Sequence, residues 1–136
     1  MMKQVLCLLL VSLSFSCSKS NNDTPADPRD QYVGTYQGSA SVLLSGQPLA
    51  LPGSVNVTKT ASSANGLTLD YQGQQIPSTL NNNTLTIPST SVNFLGTGYN
   101  LTGAGAFSGN KLQVGLSGTS SGTVTAPFSL TFSGTK

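Results

Sequence analysis

The sequence predicts an all-β fold: an eight-stranded antiparallel up-and-down barrel, closed or partly open, with a two-sheet β-sandwich as the alternative. Three observations predict it. From about Val33 onward, apolar and polar residues alternate with period two. Joints rich in Asn, Gly and Ser cut this run into eight short segments, and connections that short force antiparallel neighbours and leave no room for crossover helices. Charged residues are only 7% of the 136, against roughly 25% in an ordinary globular protein. Ser and Thr, about a quarter of the chain, supply the outward face instead.

The strands follow in order. The first, roughly 33–44, sets Tyr36, Gly38, Ala40, Val42 and Leu44 on one face and Thr35, Gln37, Ser39 and Ser41 on the other. The second, roughly 50–60, aligns Leu51, Gly53, Val55 and Val57 against Ser54, Asn56 and Thr58. The third carries Leu67, Leu69 and Tyr71. The fourth carries Ile76, Ser78 and Leu80, and the fifth begins with Leu85 and Ile87. The sixth has Tyr99, Leu101, Gly103, Gly105 and Phe107, and the seventh Leu112, Val114 and Leu116. The eighth aligns Val124, Ala126, Phe128, Leu130 and Phe132. The joints are Ser45-Gly46, Ala64-Asn65-Gly66, Gln72-Gly73, Asn81-Asn82-Asn83, Gly96-Thr97-Gly98, Gly109-Asn110 and Ser120-Ser121-Gly122.

Eight strands close a barrel whose interior is either filled by side chains or holds one small ligand. The small inward residues Gly38, Ala40, Gly103, Gly105 and Ala126 fit either outcome: they let strands bend at barrel corners, or they leave space. Pro77, Pro88 and Pro127 cannot donate to a ladder, so each requires a bulge, a strand end or an edge. Two of them belong to a repeated Ile-Pro-Ser-Thr, at 76–79 and 87–90.

The leading segment reads as an address. Lys3 precedes an apolar run from Val5 to Phe15, and small Ser16 precedes Cys17. About 11 apolar residues are too few for a spanning helix, which needs about 20. Leu13-Ser14-Phe15-Ser16-Cys17 resembles a bacterial lipoprotein cleavage box, with Ser14 standing where Leu is usual. The resemblance implies that residues 1–16 are removed, that Cys17 becomes the first residue, and that it carries acyl chains as the lipid attachment site. Residues 17–32 then read as the lipidated Cys and a flexible tether, with Pro25 and Pro28 disfavouring helix, and 33–136 as the barrel domain. Calcium binding by Asp23, Asp27 and Asp30 is far weaker as a reading than a solvated spacer. Cys7 is the only other cysteine, so the processed chain forms no internal disulfide.

The inventory of chemistry is short. There is no His, Glu or Trp. The expectation is no catalytic residue, no metal site, no cofactor and no enzyme: a Ser-His-Asp relay and an imidazole base both need histidine. Between Val33 and Lys136 the only carboxylate is Asp70, whereas glycoside cleavage normally uses two. A pairing of Asp70 with Lys59 would be an exposed ion pair of little weight. Six scattered Lys and Arg give no basic face for nucleic acid. A membrane-spanning barrel also alternates apolar and polar residues, but the missing Trp and the absence of aromatic girdles argue against it.

Several segments together, Val33-Gly34-Thr35-Tyr36-Gln37-Gly38, Val55-Asn56-Val57-Thr58-Lys59, Ile76-Pro77-Ser78-Thr79-Leu80, Asn83-Thr84-Leu85-Thr86-Ile87-Pro88, Phe107-Ser108-Gly109-Asn110-Lys111-Leu112 and Phe132-Ser133-Gly134-Thr135-Lys136, resemble in order and phrasing the small calycin-like, or lipocalin-like, β-barrel lipoproteins of Gram-negative bacteria. The resemblance implies an eight-stranded antiparallel barrel behind a lipid anchor in the outer membrane, facing the periplasm or the surface. It implies no activity and no functional residues.

Three functional classes stand on this reading. One is an envelope protein that holds a small apolar or amphiphilic ligand in the barrel, lined by Tyr36, Tyr71, Tyr99, Phe107 and Phe128; ordinary core packing explains the same five aromatics. The second is an accessory lipoprotein that docks an envelope protein partner through its hydroxyl-rich outer face. The third is a glycan-binding surface on that face. The internal volume of the barrel discriminates the first: a ligand chamber needs several hundred Å³.

Overall fold

Tight turns set the architecture. Three two-residue turns hold both central residues at positive φ: Ser45-Gly46 (49° and 83°), Gln72-Gly73 (51° and 78°) and Leu95-Gly96 (50° and 79°). That is the type I′ pattern, whose twist matches the strands it joins. Asn82 (56°) and Gly109 (59°) take positive φ at the first central position of their turns only, as in type II′. In the computed structural model, which describes residues 25–136, these turns link eight antiparallel strands. They are β1 (Gly34–Leu44), β2 (Gln47–Lys59), β3 (Gly66–Tyr71), β4 (Gln74–Asn81), β5 (Thr84–Phe94), β6 (Thr97–Ser108), β7 (Lys111–Ser120) and β8 (Pro127–Thr135). Each pairs with the next, and β8 closes on β1 from Gln37↔Thr135 to Leu44↔Phe128. The molecule is a closed all-β barrel rather than a sandwich, and the described residues form no helix.

Alternation puts the expected residues inside. Tyr36, Ala40, Val42, Val55, Val57, Leu67, Leu69, Ile76, Leu80, Leu85, Ile87, Leu101, Phe107, Leu112, Val114, Leu116, Leu130 and Phe132 are all buried. Ser78 is the inward polar residue of β4, and its Oγ donates to the Leu67 carbonyl at 2.9 Å, which satisfies it. Gly38, expected on the inward face, is exposed, and Gly103 is half-buried; close strand approach explains both. A Cβ on Gly38 would lie 1.9 Å from the Ser133 carbonyl oxygen, and one on Gly103 2.0 Å from that of Gly115. Neighbouring backbones occupy that space, so these glycines mark close strand approach.

Three boundaries differ from the sequence reading. The second strand starts at Gln47, directly after the Ser45-Gly46 turn, not near Ala50. The eighth strand starts at Pro127, not near Thr123, and Val124 sits in the preceding loop, 81% exposed. Ser120 explains the loop: its Oγ donates to the Val124 carbonyl and accepts from the Ala126 amide, so those two residues bond to β7 instead of extending β8. The fifth joint is Leu95-Gly96 rather than Gly96-Thr97-Gly98. Leu95 there takes a left-handed backbone that leucine rarely adopts, so propensity did not mark it.

The prolines act as expected, and two act together. Pro127 opens β8. Pro77 and Pro88 lie equally far from the Asn82-Asn83 turn. The β4–β5 ladder runs through Asn81↔Thr84, Leu80↔Leu85 and Thr79↔Thr86, then stops. The next pair to exchange both hydrogen bonds would be Pro77 with Pro88, and neither has an N–H. β5 then bulges against β6 between Ile87 and Thr90. Beyond the prolines, the Gln74 side chain bridges the seam by accepting the Asn93 amide at 3.0 Å. Hydrogen exchange followed residue by residue should show slow amides at Thr79 and Thr86 and fast ones at Gln75 and Ser91. Equal protection along the seam would refute this account.

Candidate functional site

The barrel has two distinct ends. One carries the start of β1, the end of β8 and the 60–65, 82–83 and 109–110 connections; we call it the near end. The far end carries the 45–46, 72–73, 95–96 and 121–126 connections.

Aromatic pairs fill the interior at three levels. At the near end Tyr32 stacks on Phe107, ring centroids 4.3 Å apart and planes 20° apart, with Tyr36 tilted against the same ring at 5.8 Å. Mid-barrel, Tyr71 meets Phe132 at 6.3 Å. At the far end Phe128 contacts Tyr99 at 4.4 Å and Phe94 at 5.6 Å. One internal void measures about 30 Å³, with Leu69, Ile76, Val114 and Leu130 among its apolar walls. Ligand pockets are typically 300–1,000 Å³; this void is an order of magnitude smaller, and an apolar one stays dry. Tyr36, Tyr71, Tyr99, Phe107 and Phe128 belong to one core cluster, and Tyr71 lines this small void.

The larger concavities are outside. A shallow groove of about 640 Å³ crosses the outer wall of β2, β1, β8, β7 and β6. It follows one row of directly opposed outward residues, Ala50, Ser41, Thr131, Gly115 and Ala104. All are small, and that is why the wall dips. A pit of about 280 Å³ lies at the far end between the β3–β4 and β5–β6 turns, lined by Tyr71, Gln72, Gln74, Asn93, Phe94 and Leu95.

The near end is where the sequence reading needed most correction. Residues 25–32, expected to belong to a solvated tether, fold against the barrel. The Arg29 side chain, 12% exposed, donates through one terminal nitrogen to the Thr60, Ser63 and Gly66 carbonyls at 3.1, 2.6 and 3.1 Å. Its other nitrogens clasp the Asp27 carboxylate, at 2.7 Å from the second terminal nitrogen. Lys59 pairs with Asp30 and, at 3.5 Å, with Asp27. Lys59 therefore does not pair with Asp70, whose carboxylate accepts the Gly73 amide of the β3–β4 turn. Asp27 and Asp30, considered for calcium, are thus turned to the Arg29 and Lys59 cations, while Asp23 lies outside the described residues, as do residues 1–16 and Cys17. Lys136 closes the other side: its ammonium donates to the Gln31 and Val33 carbonyls at 2.6 and 2.9 Å and sits 5.4 Å from the centre of the Tyr36 ring. The Tyr36 hydroxyl donates to the Tyr32 carbonyl at 3.0 Å. The overlooked signals were Tyr32, an aromatic directly before the first strand, and Arg29 between two aspartates.

These contacts fix the protonation of their members. The Arg29 hydrogen bond holds the Asp27 carboxyl well below the usual carboxylate range. Its bond to Asp30 raises Lys59. Burial raises the Tyr36 and Tyr71 hydroxyls above their ordinary value of 10.0.

Two outcomes follow. Tyr32→Ala removes the stacked plug and should cost about 2 kcal/mol in denaturant unfolding, with Tyr32→Phe near wild type; equal stability of all three would mean the segment does not close the barrel. The raised Lys59, Tyr36 and Tyr71 values stabilise the fold fully below their unfolded values and lose that contribution as pH rises through the folded ones. The lowered Asp27 stabilises above its unfolded value, near 4, and loses its contribution as pH falls toward the folded one. With no histidine in the chain, the melting temperature should be flat from about pH 5 to 9, then fall above about pH 10 and below about pH 4. A transition between about pH 6 and 7 would contradict this assignment.

No protein-family model matches the chain, and no curated protein matches it. Among solved structures, one from Bacteroides fragilis described as a "putative outer membrane protein" has a similar fold, with a TM-score of 0.54 and 17% identity over 81% of this chain. The match covers 53% of that structure, so the chain spans about half its length. At this identity the likeness is one of fold alone.

Proposed function

We propose that this chain is a non-catalytic, lipid-anchored envelope protein that works through the outside of its barrel as an accessory module docking other envelope proteins. The filled interior carries the reading. A void of about 30 Å³ cannot take a fatty acid or bile salt unless the aromatic stacks part, which leaves the outer wall and the two ends for recognition. The leader and Cys17 support the anchor, and the fold shared with a protein described as a putative outer membrane protein supports the envelope. A glycan-binding reading stands second, favoured by one observation: the far-end pit brings the amides of Gln72, Gln74 and Asn93 beside Tyr71.

Two readouts on the protein recovered from a Gram-negative host test this. Mass spectrometry should find acyl chains on Cys17, and Cys17→Ala should move the protein from the detergent to the aqueous phase; an unmodified Cys17 refutes the anchor. A thermal-shift screen should stay silent for fatty acids and bile salts. A true ligand at 100-fold excess over Kd stabilises by about 2.7 kcal/mol, so a clear shift with any of them overturns the filled-barrel reading. A shift with glycans alone, lost in Asn93→Ala, favours the second reading.

A further inference from the structure

Charge in this domain is confined almost wholly to one end. The side-chain charges among the described residues are Asp27, Arg29, Asp30, Lys59, Asp70, Lys111 and Lys136. All but Asp70 sit at the near end: Lys59 ends β2, Lys111 starts β7, Lys136 follows β8, and the other three belong to the segment folded beneath the barrel. Asp27 and Asp30 are matched by Arg29 and Lys59. Lys111 and Lys136 remain as an excess of two positive charges, with no carboxylate partner among the described residues. They are adjacent, because Lys111 pairs with Thr135 and the Lys136 amide donates to the Asn110 carbonyl at 3.0 Å. The far end is the opposite. Among the described residues the exposed large apolar ones are Leu43 and Leu49, which flank the 45–46 turn, and Leu95 and Val124, which lie within far-end connections.

We propose that the near end docks on anionic lipid headgroups, so that the barrel stands on the bilayer with its far-end turns pointing away. The proposal rests on the anchor at Cys17. Pro25, eight residues on, can lie at most about 28 Å from it along an extended chain, and Pro25 leads directly into the near-end segment. That tether holds the lysines at high effective concentration over the membrane. A weak attraction then suffices to orient the domain: each lysine near an anionic surface gains roughly fivefold in occupancy, and the gain fades with salt. The apolar far-end turns make the opposite orientation, tips inserted in the bilayer, the rival outcome.

The test uses the acylated full-length product, with its acyl mass on Cys17 confirmed first. Ser108→Cys at the near end and Val124→Cys at the far end, both exposed, each carry a fluorophore. The probes are vesicles of phosphatidylethanolamine and phosphatidylglycerol, or of phosphatidylcholine alone, doped with headgroup-quenching lipid. In anionic vesicles the Ser108→Cys label should be quenched at least about twofold more than the Val124→Cys label. The difference should shrink in phosphatidylcholine, in about 0.5 M salt, and by about half or more in Lys111→Glu, while Lys111→Arg retains it. Circular dichroism confirms that the variants fold. Equal quenching of the two labels, stronger quenching of Val124→Cys, or indifference to Lys111→Glu overturns the docking and leaves the anchor standing. An unacylated Cys17 removes both.

Discussion

Closure of β8 onto β1 is the constraint on which the rest of the molecule depends. A closed ladder abolishes most edges and fixes, residue by residue, which side chains face in. With eight strands the enclosed space is just wide enough to be filled, and here aromatic pairs fill it at both mouths and at mid-height. Where bulky side chains would not fit, the strands draw together and glycine is required: the backbone of β8 passes Gly38 and that of β7 passes Gly103 at distances no Cβ could tolerate. The same closeness that stabilises the wall also narrows the interior, where an apolar void between β3, β4, β7 and β8 measures about 30 Å³.

The near mouth is finished by a segment outside the strands. Tyr32 supplies the stacking partner that the barrel's own alternation cannot place over Phe107, and Arg29 ties the 60–66 loop to it through three carbonyls. Lys136 binds the carbonyls on either side of Tyr32, so both ends of the domain meet at one spot.

The strands, their order and nearly every inward residue were legible in the sequence, because a period-two pattern interrupted by Asn-Gly-type joints has few other solutions. What was not legible involved competition between local bonds. Ser120 captures Val124 and Ala126 before β8 can. Leu95 occupies a left-handed turn position against its own preference, carried there by the hairpin it connects. Segment 25–32 has the composition of a solvated spacer, and its order comes from buried partners far along the chain, which composition does not record. The size of the interior was also out of reach: small inward residues predict space and close approach equally well, and only the positions of neighbouring backbones separate them.

Proline placement shows how the wall survives where closure is incomplete. Two stretches lack a full set of ladder partners: the β4–β5 seam beyond Thr79, and the far half of β2, Gln47–Ser54, which pairs with β1 but not with β3. Each contains two prolines or faces a pair of them. In β2, Pro48 and Pro52 fall opposite Leu43 and Ser39 in an unbroken register with β1. An unbroken ladder requires that these nitrogens point away from β1, toward the open edge, where two of four positions then offer no donor. At the seam, Pro77 and Pro88 delete both donors of one pair. An exposed edge with intact donors is a template for another chain; this barrel keeps its edges short and strips donors from them. Each of these four prolines therefore removes a donor from a stretch that has no complete ladder partner, where pairing with another chain would otherwise begin.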